Sequence, residues 1–114
     1  MILIEAFVKP FKLDDIREAL EELGAGGMTV TEVMQAAAGP VHGRSFRAAG
    51  SASDLVPKVK IEVAVPDRLV ERVIEAVCLH GSAGKREDGK IVVELLHGAI
   101  RIRTGDEGEE ALSF

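Results

Sequence analysis

The sequence has no tryptophan and no tyrosine, and its only aromatics are four phenylalanines. Its core must therefore be built from Val, Ile, Leu and Ala, residues that pack without a polar handle. One cysteine, Cys78, excludes an internal disulfide. No apolar run reaches the roughly 18 residues that mark a membrane-spanning helix. The opening Met1-Ile2-Leu3-Ile4, followed by Glu5 and Lys9, reads as a first strand rather than a secretory signal. The expected setting is cytoplasmic, with no direct membrane insertion. A basic excess is also missing: the net charge is −5. A surface that neutralises a phosphate backbone needs the opposite sign, so nucleic acid is not an expected partner. What remains is 114 residues, 46% hydrophobic and 29% charged, enough for one domain.

The patterns along the chain alternate between two periods. In "ILIEAFV" (2–8), Ile2, Ile4, Ala6 and Val8 share one face of a strand. Over 13–23, Leu13, Ile16, Leu20 and Leu23 form one helical stripe. Asp14 and Asp15 sit at the favourable end of that helix's dipole, and Gly24 is placed to cap it. β-branched residues mark a second strand from Thr29 to about Gln35. "KVKIEVAV" (58–65) alternates most clearly, with Val59, Ile61, Val63 and Val65 on one side. A second helix is predicted over 67–80, with Gly81 as its cap. "IVVELL" (91–96) is a fourth strand, and "AIRIRTG" (99–105) reads as a short extra one, Ile100 and Ile102 inward, Arg101 and Arg103 outward. The acidic tail after residue 105 is expected to be mobile. This order, β-α-β-β-α-β, gives an α+β, ferredoxin-like fold. Its open sheet face mixes Leu3, Phe7, Val92 and Leu96 with Glu5, Lys60, Glu62 and Glu94. Such a face suits contact with further copies of the chain.

No catalytic constellation is visible. Cys78 and His80 stand two apart on a helix and do not face each other. His42, His80 and His97 lack a metal-ligand spacing. The stronger signal is for an anionic ligand. Gly84, Lys85, Arg86, Gly89 and Lys90 share one loop, where glycines expose backbone N–H groups and cations supply charge. Arg101 and Arg103 add two forks suited to phosphate oxygens. Loop and arginines together suggest a di- or triphosphate. Between the second and third strands, "MQAAAGPVHGRSFRAAGSASDLVPK" (34–58) is too long for a simple connection and reads as functional.

"KPFKLDDIREAL" (9–20), "GMTVTEV" (27–33), "PKVKIEV" (57–63), "DGKI" (88–91) and "IRIRTG" (100–105) closely resemble the P-II nitrogen regulatory proteins, in register along nearly the whole chain. The resemblance implies a homotrimer of ferredoxin-like subunits that binds ATP or ADP in clefts between them. It implies a regulator, not principally an enzyme, although slow ATP hydrolysis is described for the family. Gly27, Met28 and Thr29 would lie near the base, with Glu62, Val63 and Ala64 near the ribose and base. Arg86, Glu87, Asp88, Gly89, Lys90, Arg101 and Arg103 would surround the phosphates, within a nucleotide loop spanning about 81–90. Gln35, Ala37, Ala38 and Lys58, at the base of an effector loop, the T-loop, at about 36–55, would also contact the nucleotide. That loop's His42, Arg44, Phe46, Arg47 and Ser51 are the expected contacts for a partner, a membrane transporter or a metabolic enzyme.

The effector loop departs from the family's pattern. The Gln that ligates magnesium and 2-oxoglutarate aligns with Gly39, which leaves magnesium open and argues against 2-oxoglutarate sensing. The uridylylated Tyr aligns with Ser51, so uridylylation is excluded; Ser51 itself is a candidate for phosphorylation. Ala83 and Glu87 replace a usual Thr and Gly, which favours ADP or AMP as alternatives to ATP. The alternative reading is a metal- or bicarbonate-linked regulator of a transport system, using His42 or another small effector.

Overall fold

Strict apolar alternation makes Ile2–Val8 the first strand, β1, with Ile4, Ala6 and Val8 buried on one side. A 3-10 turn at Pro10–Lys12 leads into α1, Leu13–Glu22. The remaining elements are β2 (Thr29–Ala36), β3 (Leu55–Val65), α2 (Val70–Gly81) and β4 (Ile91–Leu95). The protein is represented by a computed structural model that describes residues 1–36, 55–82, 84 and 89–112. The four strands form one antiparallel sheet in the order β2-β3-β1-β4. With the two helices on one side of it, this is the ferredoxin-like α+β arrangement expected from the sequence.

The core follows from register. Ile4 stands opposite Val63, Ala6 opposite Ile61 and Val8 opposite Val59, so both central strands send their apolar residues the same way. They meet Ile16 and Leu20 from α1 and Val73 and Val77 from α2. A slip of one residue in β1 would turn this whole set outward and bury Glu5 instead. Burying each such Val, Ile or Leu side chain is worth about 1.5–3 kcal/mol, which fixes the register firmly.

Helix α1 ends as its sequence suggests. Gly24 has φ +81°, its N–H donates to the Glu21 carbonyl, and the Ala25 N–H reaches back to the Leu20 carbonyl. These are the paired bonds of a Schellman motif, with Leu20 and Ala25 both in the core. Gly81 is different from the expectation: it is the last residue of α2 itself, buried against Val8 and Ile16. Residues 67–69 form a 3-10 turn before α2 rather than its first turn.

Three further differences are informative. β3 starts at Leu55, ahead of Pro57, because its pairing with β2 runs on through Met34↔Pro57 to Ala36↔Leu55. The pairing of β3 with β1 stops at Val8↔Val59, so Pro57 stands on an open edge where its missing N–H breaks no ladder. The extra C-terminal strand takes the form of a single bridge, Ile100↔Glu107, closed by a turn over 101–105. Ile100 and Ile102 accordingly point outward, and Arg101 is the half-buried member. The tail is held too: Gly108–Leu112 forms a 3-10 helix.

The helices cover only the central strands. On the helix side of the two edge strands, Val30 and Met34 of β2 and Val93 and Leu95 of β4 remain exposed, Leu95 by 87%. Past the end of β4, Ile100 and the fully exposed Ile102 add two more exposed apolar side chains.

Candidate functional site

The first group of expected residues gathers where β2 begins. Thr29 stands opposite Glu62, and that pair is the last rung between β2 and β3. Beyond it, at Val63 and Ala64, the β2 side of β3 has no partner strand, while Gly27 and Met28 approach from the preceding turn. The Val63 side chain is in the core, so a ligand here would meet its backbone alone. The turn is compact: the Met28 N–H donates to the Gly26 carbonyl at 2.9 Å, and Met28 packs its side chain against the core.

Along the open face of β3, Lys58, Lys60 and Glu62 follow one another at the two-residue period. Glu62 faces Glu5 directly across the β1–β3 ladder. Like charges opposed in this way repel. Lys60 lies between them, with Nζ 3.5 Å from a Glu5 carboxylate oxygen and 3.6 Å from one of Glu62. Glu62 is thus positioned by an ion triad. Lys58 is 96% buried in the same row, with only 4% exposure. It stands opposite Val33, and Gln35 lies one rung further along on the same face. Ala37 and Ala38, and with them Gly39, His42, Arg44, Phe46, Arg47 and Ser51, lie outside the described residues.

The second group is at the other end of β1. The Phe7 N–H donates to the Lys90 carbonyl at 3.0 Å, which extends the β1–β4 register to Lys90 and holds Gly89 against the strand. Gly89 has φ +110°. A groove of about 320 Å³ opens beside it, lined by Phe7, Cys78, Ser82 and Lys90 among others. Arg86, Glu87 and Asp88 lie outside the described residues.

Arg101 and Arg103 follow the end of β4 that lies away from Lys90. The Leu96 N–H donates to the Met1 carbonyl, so the chain leaves β4 beside the start of β1. Lys90 sits beside Phe7, about 20 Å away at the rise of an antiparallel strand. The arginines do not share a strand face. Arg101 lies in the turn and pairs with Asp106 at 2.9 Å, whereas Arg103 is exposed and, among the described residues, has no ion-pair partner. Asp106 and Lys60 are the residues that sequence reasoning passed over. Their roles depend on register and on a turn, neither of which leaves a periodic signal.

Among the described residues, no three His, Cys, Asp or Glu side chains converge in a way that would hold a metal ion. No helix among them is long and apolar enough to cross a membrane.

Comparison with known proteins agrees with this architecture. Residues 1–106 match the family model for nitrogen regulatory protein P-II. The nitrogen regulatory protein P-II of Haemophilus influenzae is 50% identical over 109 residues, covering 96% of this chain and 97% of that protein. The corresponding protein of Rhodospirillum rubrum is 48% identical, and nitrogen regulatory protein P-II 1 of Escherichia coli K12 is 47% identical, over the same shares. The chain belongs to the P-II family of nitrogen regulatory, signal-transducing proteins.

Proposed function

We propose that this protein is a homotrimeric P-II regulator that binds an adenine nucleotide at each subunit boundary and acts on a transporter or metabolic enzyme through residues 36–55. One observation carries the reading: Lys90, suited to a phosphate chain, lies beside Phe7, whereas the chain leaves β4 for Arg101 beside Met1, at the other end of β1. Two copies of the chain, side by side, would bring both cations to a single ligand. The exposed apolar side chains of Val93 and Leu95 on β4, with Ile100 and Ile102 after it, support such an assembly, because contact with another copy would remove them from water.

The base-binding end is suited to adenine. The unpaired edge of β3 at Val63 and Ala64 offers backbone donor and acceptor groups, which read a flat heterocycle without a charged side chain. Glu62, oriented by Lys60, is an acceptor for ribose hydroxyls. Gly89 and Lys90 supply a close backbone approach and a positive charge for phosphate. ATP or ADP, with AMP as an alternative, would bind by these groups as a regulatory effector.

Gly39 has no side chain to ligate magnesium or 2-oxoglutarate, and the chain has no tyrosine to uridylylate. The nucleotide itself is therefore the proposed signal. Calorimetry with ATP, ADP and AMP, each with and without 2-oxoglutarate, tests the reading. Saturable binding of an adenine nucleotide that 2-oxoglutarate leaves unchanged is expected. No heat with any nucleotide would overturn it.

A further inference from the structure

The Arg101 guanidinium is already holding an anion, and that anion belongs to its own chain. One Nη donates to Asp106 Oδ2 at 2.9 Å, and the other donates to the backbone carbonyl of Glu110. Both terminal nitrogens of the fork are thus engaged by the segment that follows. Asp106 is itself fixed: the Thr104 hydroxyl donates to its Oδ2 at 2.8 Å, and its own N–H donates to the Thr104 oxygen at 3.2 Å. The backbone closes the same clasp. Arg101 N–H donates to the Asp106 carbonyl, Gly105 N–H to the Arg101 carbonyl, and Gly108 N–H to the Ala99 carbonyl. Residues 108–112 then return as a 3-10 helix, which brings the Glu110 carbonyl to the guanidinium.

We infer that residues 104–110 form a strap whose Asp106 carboxylate occupies Arg101 in place of a ligand phosphate, so that phosphate binding and strap closure exclude each other. The inference rests on the nucleotide-binding reading above and adds its regulation. A bidentate phosphate needs two N–H groups from one guanidinium edge. The terminal edge is spoken for by Asp106 and Glu110. A phosphate arriving there would also stand beside the Asp106 carboxylate, with Glu107, Glu109 and Glu110 on the same strap. Like charges at such range repel, so the Asp106 carboxylate and a phosphate compete for Arg101. The strap acts as an intramolecular competitor: only the open fraction of the protein is ready to bind, and apparent affinity falls by that fraction.

Two full-length variants test this. Asp106→Asn removes the competing charge, and Thr104→Val removes the hydroxyl that holds it; Thr104 is exposed, which keeps its loss from disturbing the fold. ATP titration by calorimetry should show tighter binding for both, by about two- to tenfold for Asp106→Asn, the range of a charge-assisted surface pair. The gain should vanish in an Arg101→Ala background. Hydrogen exchange gives a second readout: the amides of Arg101, Gly105 and Gly108 should lose protection when ATP binds the wild type. In Asp106→Asn they should be less protected before ATP is added. Wild-type binding with an equal or weaker Asp106→Asn overturns the strap alone, and shows that Asp106 positions Arg101 for its ligand. Unchanged amide protection on ATP binding overturns it as well. If neither wild type nor variants bind ATP, the nucleotide reading and the strap fall together.

Discussion

A β-carbon added to Gly89 would overlap the carbonyl oxygen of Phe7, so two backbones touch there with no room for a side chain. The contact lies where β4 is about to join the sheet, and the Phe7 N–H bonds to the next residue, Lys90. Gly89 is also at φ +110°, a conformation that other residues adopt only under strain. Gly89→Ala is therefore expected to destabilise the fold by about 2 kcal/mol or more, from backbone strain together with displacement of the β1–β4 junction. Urea unfolding measures this. A midpoint equal to wild type would mean that the loop sits elsewhere. Because Lys90 moves with Gly89, the variant should also lose nucleotide affinity by a larger factor than Gly84→Ala, where a β-carbon meets nothing within 4 Å.

Lys60 holds two carboxylates that face each other across a rung, Glu5 and Glu62. Replacing it with methionine keeps the aliphatic bulk and leaves the repulsion. Lys60→Met should cost about 0.5–1 kcal/mol, and adding Glu5→Gln should return part of that loss. A double-mutant cycle in urea reads the coupling. The cost should shrink in high salt, since these groups are partly open to solvent. A loss that salt leaves unchanged would assign Lys60 a packing role instead.

The central layers of this fold are legible in the chain because burial there imposes a period. Ile2 to Val8 and Val59 to Val65 alternate, and Ile16 with Leu20 falls on one helical stripe, so elements and inward faces follow from residue type. The same rule misleads at residues 99–105. Ile100 and Ile102 alternate with arginines as a strand would, but the sheet ends at Leu95, and a turn exposes both isoleucines. Apolar alternation signals a strand only if something buries one face, and here nothing among the described residues does. Pro57 misleads in the other direction: its place inside β3 is permitted by the sheet order, a long-range fact that no local pattern carries. For the candidate site, glycines and cations can be read as an anion loop from their chemistry. The Glu5–Lys60–Glu62 triad and the Asp106 contact cannot, because the first needs the register of two strands and the second the path of a turn.

The exposed apolar side chains on and after β4 give an assembly prediction. Leu95→Lys combined with Ile102→Lys changes two residues that are 87% and 101% exposed in the single subunit, so the subunit's own fold should hold. Burying these charges between copies without partners is costly. Light scattering should report a trimer for the wild type and a monomer for the double variant, with unfolding of the subunit core otherwise preserved. A variant that stays fully trimeric would place the contact on another face.

The separation of Lys90 from Arg101 gives the most discriminating test, because it distinguishes a site within one subunit from a site shared by two. Lys90→Ala and Arg101→Ala should each abolish high-affinity ATP binding in a homogeneous trimer. Unfolding the two variants together and refolding them at equal proportions makes mixed trimers. If each site takes Lys90 from one copy and Arg101 from its neighbour, about a quarter of the sites regain both cations, by random assortment around a three-fold axis. If both cations came from the same subunit, every copy would carry one defect, and no mixture could restore a site. Calorimetric stoichiometry near a quarter of the wild-type value is expected. A stoichiometry of zero, with trimer formation verified by light scattering, would return the site to a single subunit. It would then require the segment after β4 to turn back along β1 from Met1 toward Phe7, where Lys90 lies.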